Sequence, residues 1–420
     1  MRRLCGVLLV FVLALCLAAC TGGEARPESA QPLPQPEPTV PVLPPQPAPE
    51  PEPEPLAPPT LPGRIAIITD NWHDSEEYLS ATSLVEEHGA ENIVHLIWPG
   101  WRESEIITLA EYIAKDSEIR VVIVNHSRSG IHILASTLRE LRDDIFIIYA
   151  QFAPHPDSDA FDYAGLIITA DMQEVWRQTP AQARALGADT LVLFAPDPEL
   201  LGFREGELEG RLLWRARAEE AGLNFVEALY GDLGDSPGIS EFIGYVLPGL
   251  VEEHGNDLVF VGLSSERLLW HPLGMGAIYV APQAHPAPSP YFLAGHFRYL
   301  ASDWLREVGR AEFIAKENLA RIIEETRSVL EEVGLLGRVS TWPVSTRSMF
   351  TYAAVEYAIM WMSGELPEEG VGSEALRQIM VDFIARYAAE PEWGVALTPL
   401  EYEGTVYPHY LLVFLDFMTY

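Results

Sequence analysis

The sequence predicts an α/β fold made of two doubly wound parallel-sheet lobes joined by a hinge. Short apolar runs of strand length alternate with helical patterns along the chain after residue 62. The alternation completes one set and then starts again near residue 190. The chain of 420 residues is long enough to build two domains, each with its own core.

The first predicted lobe spans residues 63–175. The run Arg64–Thr69 is typical of a buried parallel strand, and the capping-box spacing of residues 74–77 predicts a helix to about His88. The following elements are the predicted strands Ile93–Ile97, Val121–Asn125, Ile145–Tyr149 and Leu166–Thr169, and the predicted helices Glu103–Lys115 and Ile131–Leu141. Strands that alternate with helices predict a parallel sheet covered on both faces.

The second predicted lobe spans residues 176–285, and residues 286–420 are expected to complete both lobes. Its elements are the predicted strands Thr190–Phe194, Asn224–Ala228, Asp257–Val261 and Ala277–Ala281, and the predicted helices Leu208–Ala221 and Ile239–His254. The last part contains the predicted helices Glu312–Val333, Met349–Met362 and Ala375–Ala388, with Ser345 and Ser373 as caps, and the predicted strand Tyr410–Phe417. We expect the chain to cross between the lobes near Asp171–Thr179, Gln283–Pro290 and Gly337–Pro343.

The N-terminal segment has the pattern of an export signal. Arg2 and Arg3 precede an apolar stretch, residues 4–17, that is too short to span a membrane. The segment Leu17-Ala18-Ala19-Cys20 resembles the lipobox of bacterial lipoproteins, which predicts that residues 1–20 are a signal peptide and that Cys20 carries the lipid, including palmitate. The alternative is an ordinary signal peptide that ends in cysteine. Residues 21–62 form a proline-rich linker, for which extended polyproline II is expected.

Composition excludes several functions. Cys5, Cys16 and Cys20 are the 3 cysteines of the chain, so the domain after the linker has no thiol nucleophile, thiolate metal site or disulfide. A net charge of −34 repels nucleic acid. The sequence contains no phosphate-binding loop, no complete dinucleotide fingerprint, no nucleophile elbow and no zincin histidine pair. We therefore predict no catalytic residue, no cofactor and no metal.

The candidate site follows from the predicted topology. In an open parallel sheet, ligands bind in the crevice beyond the carboxyl ends of the strands. The segments after the predicted strands are rich in aromatic and neutral hydrogen-bonding side chains, which stack on rings and fix polar groups. The candidate ligand-binding residues are Asn71, Trp72, Trp98, Trp101, Asn125, His126, Ser127, Gln151 and Phe152 in the first lobe, Ser264 and Ser265 in the second, and Trp342 near a crossing.

Three features of the chain are similar to those of a known family. They are the first-strand motif Ile65–Thr69, the order of the elements, and the segment Arg338-Val339-Ser340-Thr341-Trp342-Pro343-Val344. The stretch from Arg64 to about Gly364 resembles a family of bacterial lipoproteins, a domain of unknown function with a periplasmic-binding-protein-like fold. The resemblance implies the type I substrate-binding fold, and by analogy nucleoside- or sugar-binding lipoproteins that feed transporters. The loop Phe194-Ala195-Pro196-Asp197-Pro198 departs from the expected polar, histidine-containing loop.

These observations predict a lipid-anchored solute-binding protein on the extracytoplasmic face of the cell membrane. Its expected ligand is a small polar or ring-containing molecule, sugar-like or nucleoside-like, bound between the lobes. The expected partner is the permease of an ABC importer. The alternatives are an envelope-associated hydrolase, a ligand-sensing receptor module and a non-transport interaction module. A transcriptional regulator shares the fold class, but the export signal and the acidic composition argue against it.

Overall fold

Two parallel sheets organise the chain in the computed structural model. The structure describes residues 60–71, 73, 75–126, 129–201, 207–231, 245–246, 248–262, 291–294, 319–332, 334, 336–366, 373–388 and 394–420. The predicted strand Ala277–Ala281 lies outside these residues. Within the described ranges, no helix combines the length and the hydropathy needed to span a membrane.

The strands and helices are numbered in chain order. The strands are β1 (Arg64–Thr69), β2 (Ile93–Ile97), β3 (Ile119–Asn125), β4 (Phe146–Ala150), β5 (Leu166–Ala170), β6 (Thr190–Pro196), β7 (Asn224–Tyr230), β8 (Leu258–Gly262), β9 (Tyr291–Ala294), β10 (Val339–Thr341), β11 (Val395–Tyr402), β12 (Thr405–Leu415) and β13 (Met418–Thr419). The helices are α1 (Glu76–His88), α2 (Glu103–Lys115), α3 (Ile131–Leu141), α4 (Asp159–Asp162), α5 (Met172–Leu186), α6 (Pro198–Leu201), α7 (Glu207–Glu220), α8 (Leu319–Glu332), α9 (Thr346–Ser363) and α10 (Ser373–Ala388).

The strand order confirms the predicted fold class. The first sheet has the order β11-β12-β5-β4-β3-β1-β2, and the second has the order β13-β10-β9-β8-β6-β7. All neighbouring strands are parallel except β11 beside β12 and β13 beside β10. The inner strands are isoleucine- and valine-rich and buried on both faces, as parallel strands under helices require; in β1 only Arg64 is not fully buried.

The chain crosses from one sheet to the other between β5 and β6, between β10 and β11, and between β12 and β13. The predicted crossing at Gln283–Pro290 lies outside the described residues. The strands on either side of that segment, β8 and β9, are parallel neighbours in the second sheet. The third crossing described here is the short segment Asp416–Phe417, which leads from β12 to β13.

The two sheets share a continuous apolar core. One cluster of buried side chains includes Ile67 of β1, Phe194 of β6, Leu330 of α8 and Phe350 of α9. Helix α8 follows β9 of the second sheet in the chain, and it packs against α10 beside the first sheet. Contact between the lobes therefore extends beyond the crossing segments. A rotation of one lobe against the other that exposed this apolar surface would cost free energy.

Candidate ligand-binding site

The residues that directly follow four neighbouring strands form a row along the carboxyl edge of the first sheet. In the strand order β2-β1-β3-β4, the row consists of Trp98, Asp70, His126 and Gln151. The strand registers pair Thr69 with both Ile97 and Asn125, so the next residue of each strand occupies the same level. The carboxyl edge is where open parallel sheets bind ligands.

The first and third members of the row, Trp98 and His126, have rings in contact. The centroids of the Trp98 and His126 rings lie 4.3 Å apart with an interplanar angle of 49°. Both residues are 4% exposed. The backbone N–H of Trp98 donates to the carbonyl of Thr69 at 2.8 Å, which extends the ladder between β1 and β2 by one residue. The indole Nε1 of Trp98 is buried and has no hydrogen-bond partner among the residues that the structure describes.

Gln151 ends the row in a strained backbone conformation. Its backbone φ is +76°, a left-handed value that residues other than glycine rarely adopt. The backbone N–H of Gln151 donates to the carbonyl of Ile168 at 2.8 Å, so the strained residue is held by the ladder between β4 and β5. Its side-chain Nε2 is buried without a hydrogen-bond partner in the described part of the chain. Strain of this kind concentrates at functional sites.

Asp70 is the member of the row that sequence reasoning missed. Its side chain is half-buried, and Oδ1 accepts a hydrogen bond from the backbone N–H of Asn71 at 2.8 Å. The signal that could have found Asp70 is its place in the sequence, one residue beyond the predicted first strand. The carboxylate adds an acceptor to the row, on the strand between those that carry Trp98 and His126.

The N-terminus of α3 lies next to the row. Its cap residue is Gly130, which has a φ of +95° and makes no side-chain capping hydrogen bond. A Cβ at this position would lie 2.5 Å from Cδ1 of Ile106 and 3.5 Å from Cζ2 of Trp98. Serine, threonine and aspartate, the usual capping residues, would be strained at this φ and would also displace the terminal methyl of Ile106. The first-turn N–H groups of α3 lack a side-chain cap as a result.

Asn125 lies on the opposite face of the first sheet and is fully buried. Its Nδ2 donates to the carbonyl of Arg347 at 3.1 Å and to the Oγ1 of Thr351, both in α9. The amide nitrogen therefore ties β3 to α9. A role of Asn125 in ligand binding stays a prediction.

A second cluster of rings supports the loop that carries Asp70. Tyr78 makes edge contacts with the rings of His73 and His95, at centroid distances of 4.7 Å and 4.8 Å. The Nε2 of His95 lies 2.8 Å from the Oγ1 of Thr69. Burial, together with the nearby His73, lowers the pKa of His95 to about 4. His95 is therefore neutral at neutral pH, and it holds Thr69 at the end of β1 by hydrogen bonding rather than by charge.

The remaining predicted residues are dispersed. Asn71 is exposed, Trp101 is 68% exposed, and Phe152 is half-buried with its ring edge-on to Tyr149 at 5.4 Å. Trp342 is fully buried in the core on the α9 side of the sheet. Trp72, Ser127, Ser264, Ser265 and Cys20 lie outside the described residues. The structure thus brings Trp98, His126 and Gln151 together and separates them from Trp342.

Two clefts elsewhere do not touch the row. One, of about 440 Å³, lies at the amino edge of the first sheet beside Gly63, Arg64 and Arg120. The other, of about 150 Å³, lies between α9 and α10 beside Tyr352 and Phe383. We place the candidate site at the row because the Nε1 of Trp98 and the Nε2 of Gln151, which have no hydrogen-bond partner in the described part of the chain, lie at the carboxyl edge of the sheet. Arg64 in the first cleft is already paired with Asp116. In the described ranges, no three histidine, cysteine or acidic side chains converge as metal ligands.

The two sheets of mainly parallel strands, with three described crossings between them, form the two-lobed α/β fold that the sequence predicts. The chain belongs to the family described as "Protein of unknown function (DUF3798)", whose family model matches residues 64–297. The match includes the first-strand motif and ends before the segment that begins at Arg338. The predicted resemblance to a domain of unknown function is thereby confirmed for residues 64–297, and the lipoprotein character of the family stays a prediction.

Solved structures are similar over most of the chain. A protein from Clostridium difficile 630, described as a candidate transcriptional regulator, has a TM-score of 0.67 and 16% identity, covering 85% of this chain and 99% of that one. The substrate-binding protein of a sugar ABC transport system from Bordetella parapertussis 12822 has a TM-score of 0.46 and 14% identity, covering 85% of this chain and 89% of that one. Comparison with curated proteins gives no match. At these identities the similarity concerns the fold alone.

Proposed function

We propose that this protein is a membrane-anchored extracytoplasmic solute-binding lipoprotein. Its ligand is a small polar or ring-containing molecule, sugar-like or nucleoside-like, bound between the lobes at the carboxyl edge of the first sheet. The observation that carries the proposal is the row of Trp98, Asp70, His126 and Gln151, which places a pair of contacting rings beside hydrogen-bonding groups at the carboxyl edge of a parallel sheet. The proposed partner is the permease of an ABC importer.

A regulatory function on DNA is the competing proposal, since one similar structure is described as a candidate transcriptional regulator. DNA binding depends on cations that neutralise phosphates. The net charge of −34 disfavours this function. Solute binding agrees with both the charge and the polar row.

The proposal is tested by thermal unfolding of the purified protein in the presence of neutral hexoses, pentoses and nucleosides. A ligand at about a hundredfold its Kd stabilises the folded state by about 2.7 kcal/mol, which raises the Tm by several degrees. The compounds are also assayed for chemical change. No shift with any compound would count against solute binding, and turnover of one of them would favour the hydrolase alternative.

The proposed anchor is tested by Cys20→Ser. The variant is expected to move from the membrane fraction to the soluble fraction and to lose incorporation of labelled palmitate, because serine lacks the thiol that is acylated. Cys16→Ser changes another cysteine of the same segment and should leave both properties unchanged. Retention of the Cys20→Ser protein in carbonate-washed membranes would contradict the lipid anchor.

A further inference from the structure

We infer that the ligand carries a carboxylate group, which binds between the N-terminus of α3 and the indole N–H of Trp98. The inference rests on the proposed solute-binding function and narrows its ligand class. It follows from the hydrogen-bonding groups at the carboxyl edge, which include two side-chain donors without acceptors among the described residues.

The indole of Trp98 supplies the first donor. An indole N–H can only donate, and this one is buried without an acceptor among the described residues. Leaving such a group unpaired is unfavourable, so a bound acceptor at this position is strongly favoured. The ring edge next to Nε1 lies against Gly130, since Cζ2 is 3.5 Å from the position of a Cβ there. The indole donor and the start of α3 are therefore neighbours.

The start of α3 supplies further donors. Helix α3 has 11 residues, and its first-turn N–H groups carry the positive end of the helix dipole. Gly130 provides no capping side chain, so the N–H groups of Ile131 and His132 are the ones offered to an oxygen acceptor, whereas that of Ile133 donates to the carbonyl of Gly130 at 3.0 Å. The Nε2 of Gln151, also without an acceptor in the described ranges, lies at the far end of the row and would donate to another polar group of the ligand. A carboxylate has two oxygens that accept several hydrogen bonds at once.

Asp70 limits which anions fit. Its carboxylate lies in the same row and would repel a phosphate dianion more strongly than a single carboxylate. It would instead accept a hydrogen bond from a hydroxyl or ammonium group of the ligand. The ligand class is therefore a small hydroxy acid, uronic acid or amino acid, with the carboxylate at α3 and the donor group over Asp70.

The experiment compares matched pairs of compounds on the full protein: glucose with glucuronate, galactose with galacturonate, and amino acids with their amides. Binding is measured by calorimetry, and the indole resonances are followed by NMR on protein labelled with nitrogen-15. We expect acids to bind in preference to their neutral counterparts. The Trp98 indole proton, assigned by its loss in Trp98→Phe, should move downfield when an acid is added.

Trp98→Phe removes the N–H and keeps an aromatic ring, so it should weaken binding of the acid about tenfold to hundredfold. Trp214→Phe is the matched control, because Trp214 is also buried with an unpartnered Nε1 but lies in the core of the second sheet. The Tm of each variant without ligand shows whether the substitution has lowered the stability of the protein.

Equal binding of acids and neutral sugars would leave the proposed function intact and overturn the carboxylate inference. An acid that binds without moving the Trp98 resonance would overturn it as well. Absence of binding by every compound would overturn both.

Discussion

Replacing Glu77 with alanine is expected to destabilise the protein by about 3 kcal/mol, because the change leaves the guanidinium of Arg347 partly buried without its carboxylate. Glu77 is 3% exposed, and its Oε1 lies 2.9 Å from Nη1 of Arg347. The pair joins the first turn of α1 to the first turn of α9. Next to it, the Oγ of Ser345 donates to the carboxylate of Glu76 and ties the same two helices.

The measurement is denaturant unfolding of the variant beside Glu374→Ala. Glu374 forms an ion pair with Arg377 on the exposed surface of α10, so its loss should leave the unfolding midpoint unchanged. A double variant, Glu77→Leu with Arg347→Met, should recover most of the lost stability, since it removes both buried charges. Equal midpoints for Glu77→Ala and Glu374→Ala would show that the buried ion pair does not stabilise the fold.

Local patterns predicted most of the first sheet. The run Arg64–Thr69 is the strand β1 itself. The capping-box spacing of residues 74–77 located the start of α1, whose cap in the structure is Ser75, which accepts a hydrogen bond from the N–H of Tyr78. Ser345 likewise caps α9 as predicted, by accepting a hydrogen bond from the N–H of Ser348. These features depend on residues close together in the chain, which is why sequence reasoning found them.

The hairpin of β11 and β12 was missed. Pro399 interrupts the alternation of β11, and the register shifts between Pro399 and Leu400. The strand β12 begins at Thr405, five residues before the predicted start at Tyr410. The turn at Glu403 and Gly404 has φ values of +48° and +77°, a backbone that suits a tight hairpin. The residues around this turn are polar, so a prediction based on apolar runs did not include the first part of β12.

The candidate site was predicted in part for a related reason. Trp98, His126 and Gln151 each follow a strand, and strand ends are readable from local pattern. The packing of Asn125 against α9 was not predicted, because its hydrogen-bond partner Arg347 lies 222 residues further along the chain. The full burial of Trp342 also depends on contacts with distant elements, including Phe414 of β12. Sequence reasoning therefore identified the ends of the strands more reliably than it identified individual contacts, and the site itself stays a prediction.

Trp342→Ala is expected to destabilise the protein by about 3–5 kcal/mol, the cost of emptying a large buried aromatic position. Trp342 directly follows β10 on the segment that leads from the second sheet to α9, and its ring lies edge-on to Phe414 with centroids 5.9 Å apart. The cavity would therefore open where the two sheets are joined. Trp101→Ala is the control, because that side chain is 68% exposed and its loss should change the free energy of unfolding by no more than about 0.5 kcal/mol.

Denaturant unfolding of the two variants separates a packing role of Trp342 from the ligand contact that the sequence predicted. Full burial leaves no face of the ring open to a solute, so Trp342→Phe should lower stability while leaving the affinity for any ligand found by the thermal screen unchanged. If Trp342→Ala unfolds no more easily than Trp101→Ala, the ring does not stabilise the junction between the sheets. A loss of ligand affinity in Trp342→Phe, with stability retained, would instead show that Trp342 contacts the ligand. The core at this crossing would then have to open to admit it.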